Sequence, residues 1–316
     1  MANLWEPVSG VFWKAAPLLP NMDSLKNLGD SSLFTTVFGA LAGAFFGAWA
    51  AQRIAQRSKL REELQRELRS TNKAIMLANS TTNLGYALKK QQIKGLKESY
   101  AADCEKNDQY QELINAGHLP PPLEISPNLS NLSEVSPPIV ALQEIVLGQL
   151  STAGRALAAV MALADGISNM NRTITKRNDL IERFKDGRLP DGAKIYHFYL
   201  GLPYAEGEVN REYGDIVDAL ARYNDDAIFF GVKLMNYLQE HGRSITKKYE
   251  KEFGEKLSKL SQVDLGKAEE EDLIPSDDQY KSWLSGYQFF EVETETPRWW
   301  QLYKKATECV DRWRAK

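Results

Sequence analysis

The side chains with the greatest capacity for chemistry are few in this chain, and they lie far apart. Its three histidines are His118, His197 and His241, and its two cysteines are Cys104 and Cys309. A zinc or redox site needs such residues at short, repeated spacings, for example Cys-x-x-Cys. No such spacing occurs here, so the sequence predicts neither a metal site nor a disulfide framework.

Carboxylates are plentiful, and one pair has a suggestive spacing. Asp215 and Asp218 are three residues apart and would share one face of a helix. Carboxylates on a bundle helix can bind a divalent ion when a second helix supplies a Glu-x-x-His motif. That motif is absent from the chain. We therefore expect these aspartates on a solvated face, and we expect His241 to be an ordinary helix-contact residue.

The signatures of the common enzyme classes are also absent. The chain contains no GxxxxGK[ST], GxGxxG, HExxH or GxSxG segment. Beyond residue 51 the basic and acidic residues are nearly balanced, which argues against a nucleic-acid partner. The sequence predicts no catalytic residue and no cofactor, and an enzyme with an unrecognised site is a minor alternative.

The clearest signal is a run of nineteen uncharged residues, 33–51, which reads LFTTVFGALAGAFFGAWAA. A helix rises ~1.5 Å per residue, so this run would extend ~28 Å, close to the apolar thickness of a bilayer. The sequence predicts a single transmembrane helix here. A cleaved signal peptide and a buried core helix are the alternatives.

A basic cluster follows the apolar run at once and predicts its orientation. The cluster consists of Arg53, Arg57, Lys59 and Arg61. Because basic flanks stay on the cytoplasmic side, residues 1–32 should be extracytoplasmic and the rest of the chain cytoplasmic. The membrane would be a plasma membrane or a bacterial inner membrane.

Small residues repeat every four positions inside the predicted span. Gly39, Gly43, Gly47 and Ala51 would line one face of the helix. Such a face lets two helices approach closely in lipid. The sequence therefore predicts self-association through this face.

The predicted fold is mainly all-α, a transmembrane helix followed by a bundle of long, coiled-coil-like helices with one or two short strands. Four segments are predicted after the span. Residues 52–117 form a membrane-proximal helical segment kinked near Gly85 or Gly95, and residues 118–138 form a Pro/Ser-rich linker. Residues 139–262 form a long antiparallel helical pair, and residues 263–316 form an aromatic-rich segment with a terminal helix.

Three details of these segments remain open at this stage. The linker opens with three prolines, which exclude a helix or central strand, and it could be a spacer or a docking segment. The pair is predicted as one helix from 139 to about 186 and another from about 208 to 260, joined by KIYHFYLGLPYAEG, a short strand or a packed loop. The terminal helix, with its stripe from Trp299 to Trp313, could pack on the bundle or on a membrane.

Two functional classes fit this pattern. The first is a single-pass, membrane-anchored interaction, scaffold or sensor protein whose partners are the bilayer, a second copy and a cytoplasmic protein. The alternative is a membrane-disrupting effector whose helical body senses a trigger. Polar residues within the span would favour a pore, and only Thr35 and Thr36 qualify, near one end. The sequence therefore favours the membrane-anchored interaction protein.

Overall fold

The computed structural model describes residues 32–152, 154–257 and 259–286, and it describes side chains from residue 39 onward. The described chain is mostly helical, which confirms the mainly all-α prediction. Two compact units, Met1–Gln65 and Arg66–Lys316, divide the chain within its first helix.

The helices, in chain order, are α1 (Ser32–Leu88), a π-helix (Lys89–Ile93), α2 (Lys94–Asn115), α3 (Ile139–Gly148), α4 (Gly154–Lys185), α5 (Ile195–Leu200), α6 (Glu212–Phe253), α7 (Gly266–Glu270), a 3₁₀ turn (Asp277–Tyr280) and α8 (Lys281–Ser285). The strands of the described chain, β1 (Pro203–Tyr204) and β2 (Glu208–Val209), form one antiparallel pair with Pro203 opposite Val209.

A π-helix lies between the two glycines at which the sequence predicted a kink. Two consecutive lysines of this π-helix contact α6 and the segment that precedes the 3₁₀ turn. Lys89 Nζ lies 2.8 Å from Asp225 Oδ1 and donates to the carbonyl of Leu273 at 3.1 Å, while Lys90 Nζ lies 2.9 Å from Glu271 Oε2. Short π segments are frequent where a helix makes a special contact. Here the contact attaches the C-terminal part of the described chain to the bundle.

The sequence predicted a single helix after the linker. This prediction is wrong, because the structure divides the helix into α3 and α4. Helix α3 ends at Gly148. A carboxylate from α1 accepts hydrogen bonds from the loop that follows. Glu67 Oε1 accepts from the backbone N–H of Ser151 at 2.9 Å and from its hydroxyl, and it lies 3.0 Å from His241 Nε2. Burial acts to raise the pKa of Glu67, but these contacts outweigh it and the pKa is lowered.

Helices α4 and α6 form the antiparallel centre of the bundle. Gly166 permits the close approach, since a Cβ there would lie 3.3 Å from the backbone nitrogen of Ala227. At the other end of the pair, Arg183 Nη2 lies 2.9 Å from Glu212 Oε2. Helix α6 ends where Gly254 adopts a left-handed conformation with φ 70°, the geometry that terminates many helices.

The connection between these helices, for which the sequence left a short strand or a packed loop open, contains a short helix followed by the strand β1. The aromatic residues of KIYHFYL form helix α5, which buries Phe198 and Tyr199 and ends at Gly201 with φ 67°. The two short strands follow it. Aromatic content favoured a strand, but packing of two adjacent rings against α4 and α6 favours one turn and a half of helix.

The bundle contains two clusters of buried apolar side chains. One joins α1, α3, α4 and α6 around Ile75, Leu142, Val160, Phe229 and Leu234. The other joins the π-helix, α2, α4, α5 and α6 around Ile93, Leu180, Phe184, Tyr199 and Tyr213.

The proline-rich segment 118–137, named here the strap, is a docked extended chain without helix or strand. Its apolar residues alternate in burial: Leu123, Ile125, Pro127 and Leu129 are half-buried, and their neighbours are exposed. This period of two is that of an extended strand with one covered face. The strap therefore packs on the bundle through one of its faces.

Helix α4 binds the backbone of the strap through three side chains. Asn171 donates to the carbonyl of Val135 at 2.8 Å and accepts from its N–H at 3.0 Å. Asn178 makes the same pair of bonds with Leu132, at 2.8 and 2.9 Å. Arg177, fully buried, donates to the carbonyls of Ser130 and Asn128 at 2.6 and 2.8 Å, respectively. These bonds replace the ladder partners that an isolated extended chain lacks.

The aromatic residues after Pro275 pack on α6. The rings of Tyr280 and Phe229 stack with centroids 3.7 Å apart, and Trp283 lies 5.0 Å from Phe230. The Tyr280 hydroxyl donates to Asp226 Oδ1 at 2.8 Å. The predicted terminal helix, with Trp299 to Trp313 and Cys309, lies outside the described residues.

Candidate functional site

The predicted association face lies on α1, in the unit Met1–Gln65. Gly39, Gly43, Gly47 and Ala51 are all exposed, and a Cβ added at any of the three glycines would meet nothing within 4 Å in the described chain. Every side chain from residue 39 to 59 is exposed, and these include large apolar ones at positions 41, 45, 46, 49 and 54. Leu41, Phe45 and Phe46 are 63%, 69% and 65% exposed, respectively.

The basic cluster lies on the same helix and is exposed at all four positions, Arg53, Arg57, Lys59 and Arg61. The Arg53 guanidinium carbon lies 5.3 Å from the centroid of the Trp49 ring, and Lys59 Nζ lies 3.8 Å from Glu63 Oε1. In the part of the chain that the structure describes, no helix is long and apolar enough to cross a membrane. Residues 33–38 of the predicted span lie outside the described side chains, so the span stays a prediction.

A cavity in the unit Arg66–Lys316 brings together side chains that the sequence analysis considered separately. The cavity, named here the α2–α6 pocket, has a volume of about 370 Å³, within the range of small-molecule sites. It lies where α2 and the end of α5 meet the first turns of α6. The lining residues used below are Tyr100, Cys104, Asn107, Asp108, Arg211, Asp215 and Asp218.

Tyr100 forms the aromatic side of this pocket, and two buried tyrosines pack against its ring. The ring of Tyr100 lies 5.5 Å from that of Tyr199 and 5.6 Å from that of Tyr213, measured between centroids. The Tyr199 hydroxyl donates to Asp103 Oδ2 at 3.0 Å, and Lys106 Nζ donates to Asp103 Oδ1 at 3.0 Å. The buried carboxylate of Asp103 is therefore satisfied and holds the aromatic cluster in place.

Two glycines make room for the pocket wall. A Cβ at Gly214 would collide with the Tyr100 hydroxyl, so only glycine lets that ring lie against α6. Gly201 has φ 67°, and a Cβ there would lie 3.2 Å from Arg211 Cγ. The close approach of Tyr100 to α6 and the turn after α5 therefore both require glycine, which has no side chain.

Burial, together with nearby acidic groups, favours the neutral forms of the thiol and the phenol of the pocket. Burial raises the pKa of Cys104 most strongly, and Asp108, Asp103 and Asp218 raise it further, although a hydrogen bond with Tyr100 acts to lower it. Burial also raises the pKa of Tyr100, with the hydrogen bond to Cys104 as the next cause. Nucleophilic cysteines need the opposite environment, one that lowers the pKa. The raised pKa of Cys104 therefore disfavours a nucleophilic role for this thiol.

The structure places Asp215 and Asp218 together, as their spacing implied, and it adds Asp108 from α2. Sequence reasoning missed Asp108, Tyr100 and Asn107, because their meeting with α6 depends on how α2 packs. Among the described residues, no group of three or more histidine, cysteine or acidic side chains could hold a metal ion.

Comparisons with known proteins give no independent guide to function. No protein-family model matches the chain, and the searches of curated proteins and of solved structures find no match either.

Proposed function

We propose that this chain is a single-pass, membrane-anchored interaction protein that self-associates through the small-residue face of α1. In this proposal residues 33–51 cross the membrane, residues 1–32 lie outside, and the helical body binds a partner in the cytoplasm. The bilayer, a second copy and a cytoplasmic protein are the partners, and the near-neutral body has no nucleic-acid ligand.

The exposure of the first part of α1 is the observation that carries the proposal. Leu41, Phe45 and Phe46 are mostly exposed on one continuous helix. A contiguous apolar surface of this kind is rare unless a membrane or another protein covers it. Lipid covers such a helix without requiring any specific partner. The basic cluster that follows it favours retention of the body on the cytoplasmic side.

The glycine row supports self-association. Because Gly39, Gly43 and Gly47 leave open space along one face, a second helix can approach this backbone closely. In lipid, close packing is the main force that holds two helices together, since both the tails and the side chains are apolar.

The test is cross-linking of full-length protein in membranes with Gly43→Leu. Leucine keeps the span apolar, so insertion should be unchanged, but it fills the space between two helices and cross-linking between copies should fall several-fold. Ala42→Leu introduces the same side chain about 100° around the helix and should leave cross-linking unchanged. Equal cross-linking of wild type and Gly43→Leu would contradict self-association through this face and leave a plain anchor.

A further inference from the structure

The α2–α6 pocket carries an inference that is independent of the membrane anchor. We propose that it binds a small organic cation bearing protonated amino groups. Packing of the bundle does not require the charged side chains that line this pocket.

The first argument is the charge of the lining. Asp108, Asp215 and Asp218 line the same cavity, and none of them makes an ion pair within the described chain. Three carboxylates around one cavity create a negative potential that attracts a cation. The one basic lining residue is Arg211, so the lining carries two more negative charges than positive ones.

The second argument is an unpaired acceptor. Asn107 lines the pocket with its side chain only 5% exposed, and its Oδ1 has no hydrogen-bond partner in the described chain. A buried carbonyl oxygen without a donor destabilises the protein. An ammonium N–H in the pocket would provide the missing donor.

The third argument is the aromatic wall. Tyr100 presents a neutral phenol ring beside the carboxylates, and aromatic rings attract cations through their quadrupole. A metal ion is the less suitable cation, since the described residues offer no group of ligands that could hold one. An amine dication matches the charge, the acceptor and the ring together.

The experiment is titration calorimetry of the full-length protein with butane-1,4-diamine. The diamine should bind, while butane-1,4-diol, of the same length but uncharged, and succinate, of opposite charge, should not. Raising the salt concentration should weaken the diamine, because exposed carboxylates are screened. Absence of diamine binding, or equal binding of the diol, would overturn the proposal.

Two variants of opposite sign separate binding from simple damage to the fold. Asp218→Asn removes a negative charge and should weaken the diamine about twofold to fivefold, whereas Arg211→Gln removes a positive charge and should strengthen it by a similar factor. Asn107→Ala should also weaken it. Asp179→Asn makes the same charge change at an exposed site on α4 outside the pocket and should leave binding unchanged. Equal losses in Asp218→Asn and Asp179→Asn, or a loss in Arg211→Gln, would show non-specific attraction and overturn the assignment.

Discussion

At the residue scale, the contact between Thr82 and Gly231 shows how closely α1 approaches α6. The Thr82 hydroxyl donates to the carbonyl of Ala78 at 2.8 Å, and its side chain occupies the place that a Cβ at Gly231 would need. Thr82 is 1% exposed, so neither helix can yield into solvent. The glycine is therefore required by packing rather than by backbone conformation.

Gly231→Ala should destabilise the protein by about 1–3 kcal/mol, because the added methyl group overpacks this contact. Gly95→Ala is the matched control, since a Cβ at Gly95 meets nothing within 4 Å, and alanine favours a helix over glycine by about 1 kcal/mol. Thermal or urea unfolding of the two variants measures the difference. A Gly231→Ala protein as stable as wild type would show that α1 and α6 do not pack in this register.

At the scale of elements, the strap depends on α4 more than on its own sequence. Asn178→Ala would leave both the N–H and the carbonyl of Leu132 without partners, at a cost of about 1–3 kcal/mol. Hydrogen exchange should then accelerate over residues 128–135. Asn169→Ala, on the same helix, removes a carboxamide that makes no hydrogen bond in the described chain and should leave exchange there unchanged. Unaltered exchange in Asn178→Ala would contradict the docked strap.

The same elements show which parts of the fold could be predicted. The 3.6-residue stripe from Ile216 onward identified α6, and the prolines excluded a helix from the strap. The alternation from Leu123 to Leu129 was a usable signal for a docked extended chain, and the sequence analysis did not use it. The asparagines that bind the strap could not be found, because their roles depend on a backbone that lies about forty residues away along the chain.

The pocket could be predicted only in part, for the same reason. Spacing on one helix paired Asp215 with Asp218, but Asp108 and Asn107 reach them only through the packing of α2 on α6. Spacing along one segment is local information, whereas a site made by three segments depends on tertiary contacts.

At the scale of the whole molecule, we propose that residues 33–51 anchor the chain in a membrane. The two units are chemically different: α1 exposes its apolar side chains between residues 39 and 59, while the unit Arg66–Lys316 buries its own in two clusters. In our proposal, the bilayer surrounds the apolar part of α1 and water surrounds the unit Arg66–Lys316.

Alkaline carbonate extraction of membranes from cells that express the full-length protein tests whether residues 33–51 span a bilayer. Because a helix that spans the bilayer resists extraction whereas a peripheral protein is released, we expect the protein to stay in the membrane pellet. Gly43→Arg, which places a charge near the centre of the span at a cost of about 2.5–3.5 kcal/mol, should reduce the inserted fraction. Recovery of the full-length wild-type protein in the soluble fraction would contradict the account.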